Sequence, residues 1–470
     1  MTRPRNTSSR EVLRVENLWF RYPNSEWVLR GVNLVVNRGE IILVVGDTGS
    51  GKTSLVRALS GIGVKVYGGE VRGKVSILGA FSGEVSMEEA ASHVKVVNQN
   101  PYTHFVYPRL GVDLLLYAEE AYGDREKAIR EVEGWAAATG AWDILRKTIF
   151  EASGGELRRT AIAKASITHP SIILLDEPLM WLDDDSTVKL RELLVELKSK
   201  GVSILVFEHR FLPILDLADR VYELRNGVLV RLSKSDLLKR LETFSSSHGV
   251  HSSSLSTGKR GITIRLDNVW FKYSGSTRWV LRGAGLGVET GGFAVVYGRN
   301  GSGKTTLLRL ISGYIKPYRG RVYTSEKPVY VPQVIDLFFT ESTISEELRA
   351  VCKHSRISNC YSRGIHVLEK LGIKSFEKPP HTLSWGQKVK LAIALSIVAG
   401  KSILLLDEPF SGLTYRERYL LTEYLNSVPC TVVVTTSSRD SLEIAIKASK
   451  NVAVYSLVDG VLKAEPGFRA

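Results

Sequence analysis

Two copies of one long segment make up most of the chain, and this duplication constrains the fold more than any other feature of the sequence. The segment ENLWFRYPNSEWVLRGVNL, which begins at Glu16, aligns with DNVWFKYSGSTRWVLRGAGL, which begins at Asp267. Repeats of this length indicate duplicated domains, because the units of solenoid proteins span only about 20–50 residues. A chain of 470 residues is long enough for two such domains, each with its own core. We predict a basic tail at residues 1–10, domains at 11–243 and 262–470, and a Ser- and Gly-rich linker at 244–261.

The composition is that of an ordinary soluble protein. No apolar stretch approaches the roughly 20 residues that a membrane-spanning helix requires, and the N-terminal sequence MTRPRNTSSR lacks the apolar segment of a secretory signal. Cys352, Cys360 and Cys430 are too few and too scattered for a disulfide framework or a zinc site. We therefore expect a cytosolic protein.

The net charge of +14 leaves two interpretations open. One is an anionic partner, such as nucleic acid, a nucleotide or the anionic face of a membrane. The other is a solvated basic surface, since Lys and Arg are spread along the chain. Methionine and cysteine are rare, and the only glutamines are Gln99, Gln333 and Gln387. Because thermophilic proteins contain few thermolabile side chains, this composition indicates a thermophilic source.

Within each copy, short apolar β-branched runs alternate with helical patterns, which predicts a mainly parallel α/β domain. The runs EIILVVG and GFAVVYG are buried strands that lead into glycine-rich loops, and SIILLDEP and SILLLDEP are strands that end in carboxylates. Ligands of such sheets bind beyond the carboxyl ends of the strands. The motifs below all fall at this edge.

Both glycine-rich loops, GDTGSGKTS at residues 46–54 and GRNGSGKTT at 298–306, fit the pattern G-x-x-x-x-G-K-[ST]. In this pattern the backbone N–H groups surround phosphates, the lysine reaches the β- and γ-phosphates, and the following hydroxyl holds Mg²⁺. Two matches in register with a whole-domain repeat exclude chance. The predicted nucleotide-binding residues of the loops are Gly46, Gly49, Gly51, Lys52, Thr53 and Ser54 in the first copy, and Gly298, Gly301, Gly303, Lys304, Thr305 and Thr306 in the second, with Thr53 and Thr305 on the metal.

Each copy also has a strand that ends in Asp-Glu-Pro. Asp176 and Asp407 are placed to orient Mg²⁺ and its waters. Glu177 and Glu408 are then placed to polarise the attacking water as general bases. A helix-capping role for such a pair is the alternative, and it is weak beside a glycine loop.

The order of glycine loop, Gln, Ser-Gly-Gly element, Asp-Glu pair and His resembles the nucleotide-binding domain of ATP-binding cassette (ABC) proteins, twice over nearly the whole chain. The resemblance implies two tandem P-loop NTPase domains, each with a mainly parallel sheet, an antiparallel β subdomain and a helical signature subdomain. The domains would pair head to tail and hold two Mg²⁺–ATP between them. It implies adenine stacking by Tyr22 and Tyr273, contacts of Gln99 and Gln333 with Mg²⁺ and the attacking water, contacts of Ser153, Gly155, Ser384 and Gly386 with the γ-phosphate, and a γ-phosphate sensor at His209.

Several of these residues also have ordinary structural interpretations. Tyr22 and Tyr273 could be strand aromatics, and Gln99 and Gln333 could be polar loop residues. His209 alone could be a structural histidine. Its position after the strand that follows the Asp-Glu pair favours the sensor.

The sequences that surround Gln99, Gln333 and His209 resemble the ATPases of energy-coupling factor importers, particularly those with two fused ATPase domains. That resemblance implies ATP-driven import of a vitamin or a transition-metal ion, at the cytoplasmic face of the membrane. The partners would be a membrane coupling subunit and a substrate-capture membrane protein. Apolar residues after the two glutamines, including Phe105, Val106, Leu337 and Phe338, would form the grooves for the coupling subunit, or could be core.

Two other functions remain as alternatives. A soluble tandem ABC protein that acts on ribosomes or nucleic acid would suit the net charge. The chain has no CxxC, no sustained heptads and only a short linker, so we consider a nucleic-acid partner unlikely. A nucleotide switch that barely hydrolyses ATP is disfavoured because Glu177 and Glu408 are both present.

The two copies differ at three positions that the resemblance assigns to the site. Trp385 stands where Gly154 follows Ser153, Ser437 stands where the first copy has His209, and Thr414 stands where it has Asp183. By the head-to-tail pairing, the first copy's loop and His209 would face the altered LSWGQ element. We expect this first site to be the faster, because losing a charge-stabilising contact often changes a rate by about 10²–10³ and Ser437 is too short to replace His209. Trp385 then marks asymmetry between the sites, or neutral drift.

Overall fold

The computed structural model describes residues 10–47, 49–81, 92–139, 141–247, 261–353, 358–383, 385–449 and 451–465. The chain divides into two compact units, Met1–Arg240 and Leu241–Ala470. Each unit contains the P-loop architecture expected from the sequence, with a mainly parallel sheet, an antiparallel sheet and a group of helices.

Unit 1 contains two sheets. A four-stranded antiparallel sheet has the order β2-β1-β4-β5, and a six-stranded sheet has the order β10-β9-β3-β8-β7-β6, parallel except for β10. The strands are β1 (Glu11–Arg21), β2 (Leu29–Asn37), β3 (Ile41–Val45), β4 (Glu70–Ile77), β5 (Ala80–Phe81), β6 (Val94–Val97), β7 (Ile172–Asp176), β8 (Ser203–Phe207), β9 (Arg220–Arg225) and β10 (Val228–Leu232).

Helices cover the large sheet of unit 1 and also form a separate cluster. They are α1 (Lys52–Leu59), α2 (Ile62–Lys65), α3 (Leu110–Tyr122), α4 (Arg125–Thr139), α5 (Trp142–Arg146), α6 (Gly154–Ile167), α7 (Asp184–Ser199) and α8 (Lys234–Ser247). Short 3-10 turns span Pro101–His104 and Leu212–Ile214. Helix α8 extends into the first four residues of the segment predicted as a linker, and most of the remainder of that segment lies outside the described residues.

Unit 2 repeats this arrangement. A three-stranded antiparallel sheet has the order β12-β11-β14, and a six-stranded sheet has the order β15-β16-β17-β13-β18-β19, parallel except for β19. The strands are β11 (Ile262–Phe271), β12 (Leu281–Glu289), β13 (Phe293–Tyr297), β14 (Arg319–Thr324), β15 (Val329–Val331), β16 (Ile403–Leu406), β17 (Thr431–Thr436), β18 (Val452–Val458) and β19 (Val461–Ala464). The helices are α9 (Lys304–Ile311), α10 (Ile344–Lys353), α11 (Cys360–Lys370), α12 (Trp385–Val398), α13 (Tyr415–Ser427) and α14 (Arg439–Lys447), with 3-10 turns at Ile335–Phe338 and Pro380–Thr382.

The central strands of both large sheets, among them β3, β7, β16 and β17, are buried on both faces, as is typical of parallel strands covered by helices. In unit 1 one core lies between the sheets and α1, and a second lies within α3–α6 around Leu114 and Leu157. Unit 2 likewise has a distinct helical core, formed by α10–α12 around Leu348 and Leu391. The helical subdomain of each unit therefore has its own apolar core. Among the described residues, no helix is both long and apolar enough to span a membrane.

The expectation for the cysteines was wrong at one pair. Cys352 and Cys360 form a disulfide, whereas Cys430 is free and buried. The bond joins the end of α10 to the start of α11, and both helices pack against α12 in the same apolar core. This packing brings together two cysteines whose spacing in the sequence carries no signal of pairing.

Candidate nucleotide sites

In both units the glycine loop joins a buried strand to a helix that begins at the motif lysine. The preceding residues, Gly51 and Gly303, have φ angles of 103° and 107°. Only glycine adopts this conformation readily, and a Cβ at Gly303 would also lie 2.9 Å from Val280. The N-terminus of a helix offers free N–H groups and a positive dipole, which together suit phosphate binding.

The two motif lysines fold back over their loops. Lys52 Nζ donates to the carbonyl oxygens of Gly46 at 2.7 Å and Asp47 at 3.2 Å. Lys304 Nζ donates to those of Gly298 at 2.7 Å and Arg299 at 3.0 Å. Both lysines are almost fully buried. Each ammonium group is thus held at the centre of its loop, and its contact with the β- and γ-phosphates stays a prediction. Gly46 and Gly298 pack tightly against backbone and serine atoms, whereas Gly49 and Gly301 have positive φ and open space around them.

The hydroxyl residues after the lysines have different contacts. Thr53 hydrogen-bonds to Asp176. Ser54 lies 3.2 Å from the hydroxyl of Tyr22, and Thr306 lies 3.0 Å from that of Tyr273. Thr305 occupies the first turn of α9. The predicted tyrosines are therefore anchored beside the glycine loops, and adenine stacking stays a prediction.

Glu177 is the centre of a cluster in unit 1. Gln99 Nε2 donates to Glu177 Oε2 at 2.7 Å, and His209 Nδ1 lies 3.3 Å from Glu177 Oε1. Burial raises the pKa of Glu177, but hydrogen bonding and the charges of His209 and Lys52 outweigh it, so the pKa lies below its usual range. The residue has a φ of 48°, an uncommon conformation for a non-glycine residue. Three residues predicted from distant parts of the sequence are thus brought together.

Asp176 is suited to a hard cation. Burial, followed by the charge of Glu177, raises the pKa of Asp176 to about 6. Its Oδ1 is buried and has no hydrogen-bond donor among the described residues. An unsatisfied carboxylate oxygen beside the hydroxyl of Thr53 is the kind of oxygen pair that Mg²⁺ prefers. The residues therefore fit the predicted metal.

Unit 2 has the same motif residues in a different arrangement. Glu408 Oε1 lies 3.3 Å from Lys304 Nζ, and its φ is 51°. Burial raises the pKa of Glu408, although Lys304 opposes this effect. Gln333 is half-buried and makes no hydrogen bond to Glu408 in the described structure. Ser437, although shorter than His209, reaches Glu408 and hydrogen-bonds to it through its side chain and backbone.

The signature elements begin α6 and α12. Ser153 caps α6 and forms a reciprocal capping box with Glu156. A Cβ at Gly155 would lie 2.5 Å from Ser186 Oγ, and one at Gly386 would lie 2.6 Å from Leu413. These two glycines are therefore required by packing within each unit, apart from any contact with phosphate. Ser384 lies outside the described residues.

The position of the tryptophan has a simple explanation in unit 1. A Cβ at the corresponding Gly154 would meet nothing within 4 Å. The side chain of Trp385 itself lies outside the description. At this point of unit 1 the fold therefore leaves room for a Cβ. Thr414 keeps the local role of its counterpart Asp183, because each residue is the N-cap of the following helix.

Two buried charged residues near the unit 1 site were not predicted. Arg158 is 1% exposed and donates to the backbone carbonyls of Asn98 and Gln99, each at 2.5 Å. Burial lowers the pKa of Arg158 to about 10, although Glu208 and Asp176 oppose this effect. Glu208 is fully buried and accepts from the N–H groups of Leu179, His209 and Arg210. The sequence offered one signal for each residue. Arg158 is a charged residue on an otherwise apolar face of α6, and Glu208 directly precedes His209.

The fold and the two glycine loops define a tandem P-loop ATPase. The profile of the ABC transporter family matches residues 29–180 and 281–411, more than half of the chain. The chain therefore belongs to the ABC transporter family, as one of its ATPases.

The chain is similar to known proteins over nearly its whole length. An ABC transporter ATP-binding protein of Treponema denticola is 29% identical over 85% of this chain and 86% of its own. One of Sulfurisphaera tokodaii is 29% identical over 95% of this chain and 96% of its own. A structure of the archaeal ribosome recycling factor aABCE1 with the ribosomal stalk protein aP1 has a TM-score of 0.63 and 20% identity, and it covers 95% of this chain and 89% of that one. A structure of ribosome-bound archaeal Pelota and ABCE1 has a TM-score of 0.68 and 20% identity, and it covers 96% of this chain and 78% of that one. At such identity the structural likeness concerns the fold alone.

Proposed function

We propose that this ATPase powers import of a micronutrient, a vitamin or a transition-metal ion, through a membrane coupling subunit, as in energy-coupling factor importers. ATP hydrolysis is the activity of the family. The transport role rests on the sequences around Gln99 and Gln333, and on one observation. The segments that follow the two glutamines present apolar side chains to solvent.

These exposed side chains are the surface that carries the proposal. In unit 1 they belong to residues 100–107, where Val106 is 81% exposed and Tyr102 and Tyr107 are about half exposed. In unit 2 they belong to residues 334–338, where Leu337 is 76% exposed. We refer to both as the Gln segments. Phe105 and Phe338, expected in the same grooves, pack instead against the helical cores, so the docking surface is narrower than the sequence indicated. Exposed apolar groups on a soluble domain favour a protein partner.

A buried carboxylate accepts hydrogen bonds from the backbone within the unit 1 Gln segment, and another from the backbone just after the unit 2 segment. Asp113, on α3, accepts from the N–H groups of Val106 and Tyr107 and from Lys164 on α6. In unit 2 Glu347, on α10, accepts from the N–H groups of Thr340 and Glu341, just after the segment. A defined loop conformation with exposed apolar tips suits the docking of a helix from a membrane subunit.

The unit 1 Gln segment is also joined to the catalytic cluster. Arg158, on α6, donates to the backbone carbonyls of Asn98 and Gln99, and the signature residue Ser153 caps the same helix. The side chain of Gln99 contacts Glu177. Movement of a docked partner would therefore be transmitted to the residue that activates water.

The chemistry follows from the residues of each unit. Mg²⁺, held by Thr53 and Asp176 in unit 1 and by Thr305 and Asp407 in unit 2, with Gln99 or Gln333 beside it, would neutralise phosphate charge. Glu177 takes the proton of the attacking water, and Gln99 and His209 orient its carboxylate. Water attacks the γ-phosphorus and ADP leaves, and Lys52 stabilises the negative charge on the β- and γ-phosphates. The resemblance assigns further contacts with the γ-phosphate to Ser153, Gly155, Ser384 and Gly386.

Substitution of the two exposed residues tests the proposal. The full chain carrying Val106→Asp and Leu337→Asp should keep its ATPase activity in solution but no longer fractionate with membranes of the source cells. Val228→Asp with Val458→Asp is the matched control, since both valines are exposed on strands of the large sheets away from the Gln segments. Membrane association that survives the first pair, or sedimentation of the chain with ribosomes, would contradict the proposal. Sedimentation with ribosomes would instead support the soluble alternative.

A further inference from the structure

Both carboxylate oxygens of Asp407 are held by side chains of unit 2. The hydroxyl of Tyr330 donates to Oδ2 at 3.0 Å, and the hydroxyl of Thr435 donates to Oδ1 at 2.7 Å. The Thr435 oxygen also accepts from the N–H of Glu408 at 3.0 Å. Thr435 thus contacts both the predicted metal ligand and the backbone of the predicted base, and Tyr330 holds the other oxygen of the metal ligand.

The strand register explains how Tyr330 reaches this carboxylate. Tyr330 on β15 is paired with Leu405 on the parallel strand β16, and Asp407 follows Leu405 by two residues. Side chains two residues apart lie on the same face of a sheet. On this face Arg309, from α9, hydrogen-bonds to both Tyr330 and Tyr273. A continuous network therefore runs from the tyrosine predicted to bind adenine to the carboxylate predicted to bind Mg²⁺.

Unit 1 has the first hydrogen bond of this network but lacks the two hydroxyls that contact the aspartate. Arg57 donates to the hydroxyl of Tyr22 at 2.8 Å. The residue paired with Leu174, two before Asp176, is Val96, which has no hydroxyl to donate. Phe207 occupies the position of Thr435, paired with Asp176. Among the described residues, one buried oxygen of Asp176 has no donor, whereas both oxygens of Asp407 have one.

We propose that Tyr330 is a positioning residue that, with Thr435, satisfies Asp407 in the absence of a cation and so makes metal binding in unit 2 weaker than in unit 1. A cation beside Asp176 neutralises a carboxylate oxygen that none of the described side chains or backbone groups satisfies. A cation beside Asp407 competes with two hydrogen bonds that are already formed. Because a buried unsatisfied acceptor is costly, the gain on metal binding is larger in unit 1. The inference rests on nucleotide binding by the family and is independent of the proposed transport role.

Manganese binding to the full chain measures this difference directly. Mn²⁺ replaces Mg²⁺ and its binding is followed by electron paramagnetic resonance with ADP present. Lys52→Ala leaves the loop of unit 2 as the intact site, and Lys304→Ala leaves that of unit 1. We expect Mn²⁺ to bind about three- to tenfold more weakly to unit 2 than to unit 1, the range that one net hydrogen bond corresponds to. Adding Tyr330→Phe to the Lys52→Ala chain should tighten Mn²⁺ binding to unit 2 by most of this three- to tenfold difference.

Tyr314→Phe is the matched control, since the Tyr314 ring lies 5.9 Å from that of Tyr330 and its side chain is largely exposed. Thr435→Val removes the second donor and provides an independent variant should Tyr330→Phe not fold. Tighter Mn²⁺ binding in either variant, with Tyr314→Phe unchanged, supports the proposal. Unchanged or weaker binding in the folded Tyr330→Phe chain overturns it, as does equal affinity of the two units. No step of the test requires a membrane partner or ATP turnover.

Discussion

Gln99 Nε2 lies 2.7 Å from Glu177 Oε2, whereas Glu408 in the other unit contacts Lys304. Gln99 and His209 contact the carboxylate of Glu177 and orient it for the attacking water. Glu408 is instead paired with Lys304, the lysine that is predicted to bind phosphate. We predict that Glu177→Gln lowers steady-state ATP hydrolysis of the purified chain by about 10²-fold, the scale of general-base catalysis. Glu408→Gln should lower it by less than about twofold.

Nucleotide binding to both variants is the control for this comparison, because each substitution keeps the size of the side chain. The ranking of the two sites would be reversed if Glu408→Gln were the damaging change. Turnover would then depend on the unit that has Ser437 in place of His209, and the hydrogen bond from Ser437 to Glu408 would be sufficient for chemistry.

Arg158 ties the Gln99 loop to the signature helix, and its removal should loosen that loop. Arg158→Met keeps the apolar stem but leaves the carbonyls of Asn98 and Gln99 without their donors. We predict a loss of about 2 kcal/mol in the stability of unit 1, typical of buried groups left unsatisfied. Amide hydrogens of residues 98–107 should exchange faster, as measured by mass spectrometry. Arg159→Met is the control on the same helix, and equal exchange in the two variants would exclude the link.

The sequence was sufficient to locate features that are formed by residues adjacent in the chain. Lys52 and Lys304 were found because a glycine loop, a strand and a helix are adjacent in the chain, and the repeat extended each conclusion to the second copy. Tyr330 and Arg158 were missed because they act across the fold: Tyr330 is 77 residues from Asp407, and Arg158 is 59 residues from Gln99. Their role depends on strand register and helix packing, which one sequence does not specify. The bond between Cys352 and Cys360 was missed for the same reason.

Gly154 and Gly155 are neighbours with opposite tolerance for a side chain. A Cβ at Gly155 would lie 2.5 Å from Ser186 Oγ, and one at Gly154 would meet open space. We predict that Gly155→Ala destabilises unit 1 by about 1–3 kcal/mol through overpacking. Gly154→Ala should be neutral or stabilising by up to about 1 kcal/mol, because alanine is the better helix former. Thermal unfolding of the two variants gives the answer, and similar losses would show that the first turn of α6 is crowded throughout.

His104 makes unit 1 sensitive to mild acid. Burial, together with the charges of Arg158 and Lys164, lowers the pKa of His104 to about 4, and its neutral Nε2 accepts from the N–H of Asn98 at 2.9 Å. The unfolded chain takes up this proton near pH 6.5, so the contribution of His104 is complete above pH 6.5 and is lost as the pH falls toward 4. Since the ring is half-buried, we expect a loss on the order of 2 kcal/mol. His104→Gln keeps an acceptor that does not titrate, so the stability of the wild type relative to this variant should fall by that amount between pH 7 and pH 4.5 in urea unfolding. His381→Gln is the control, because it removes an exposed histidine of unit 2 and leaves the bond to Asn98 in place. A wild-type advantage that stays constant with pH would mean that the pKa of His104 in the folded protein equals that in the unfolded chain, and would contradict this prediction.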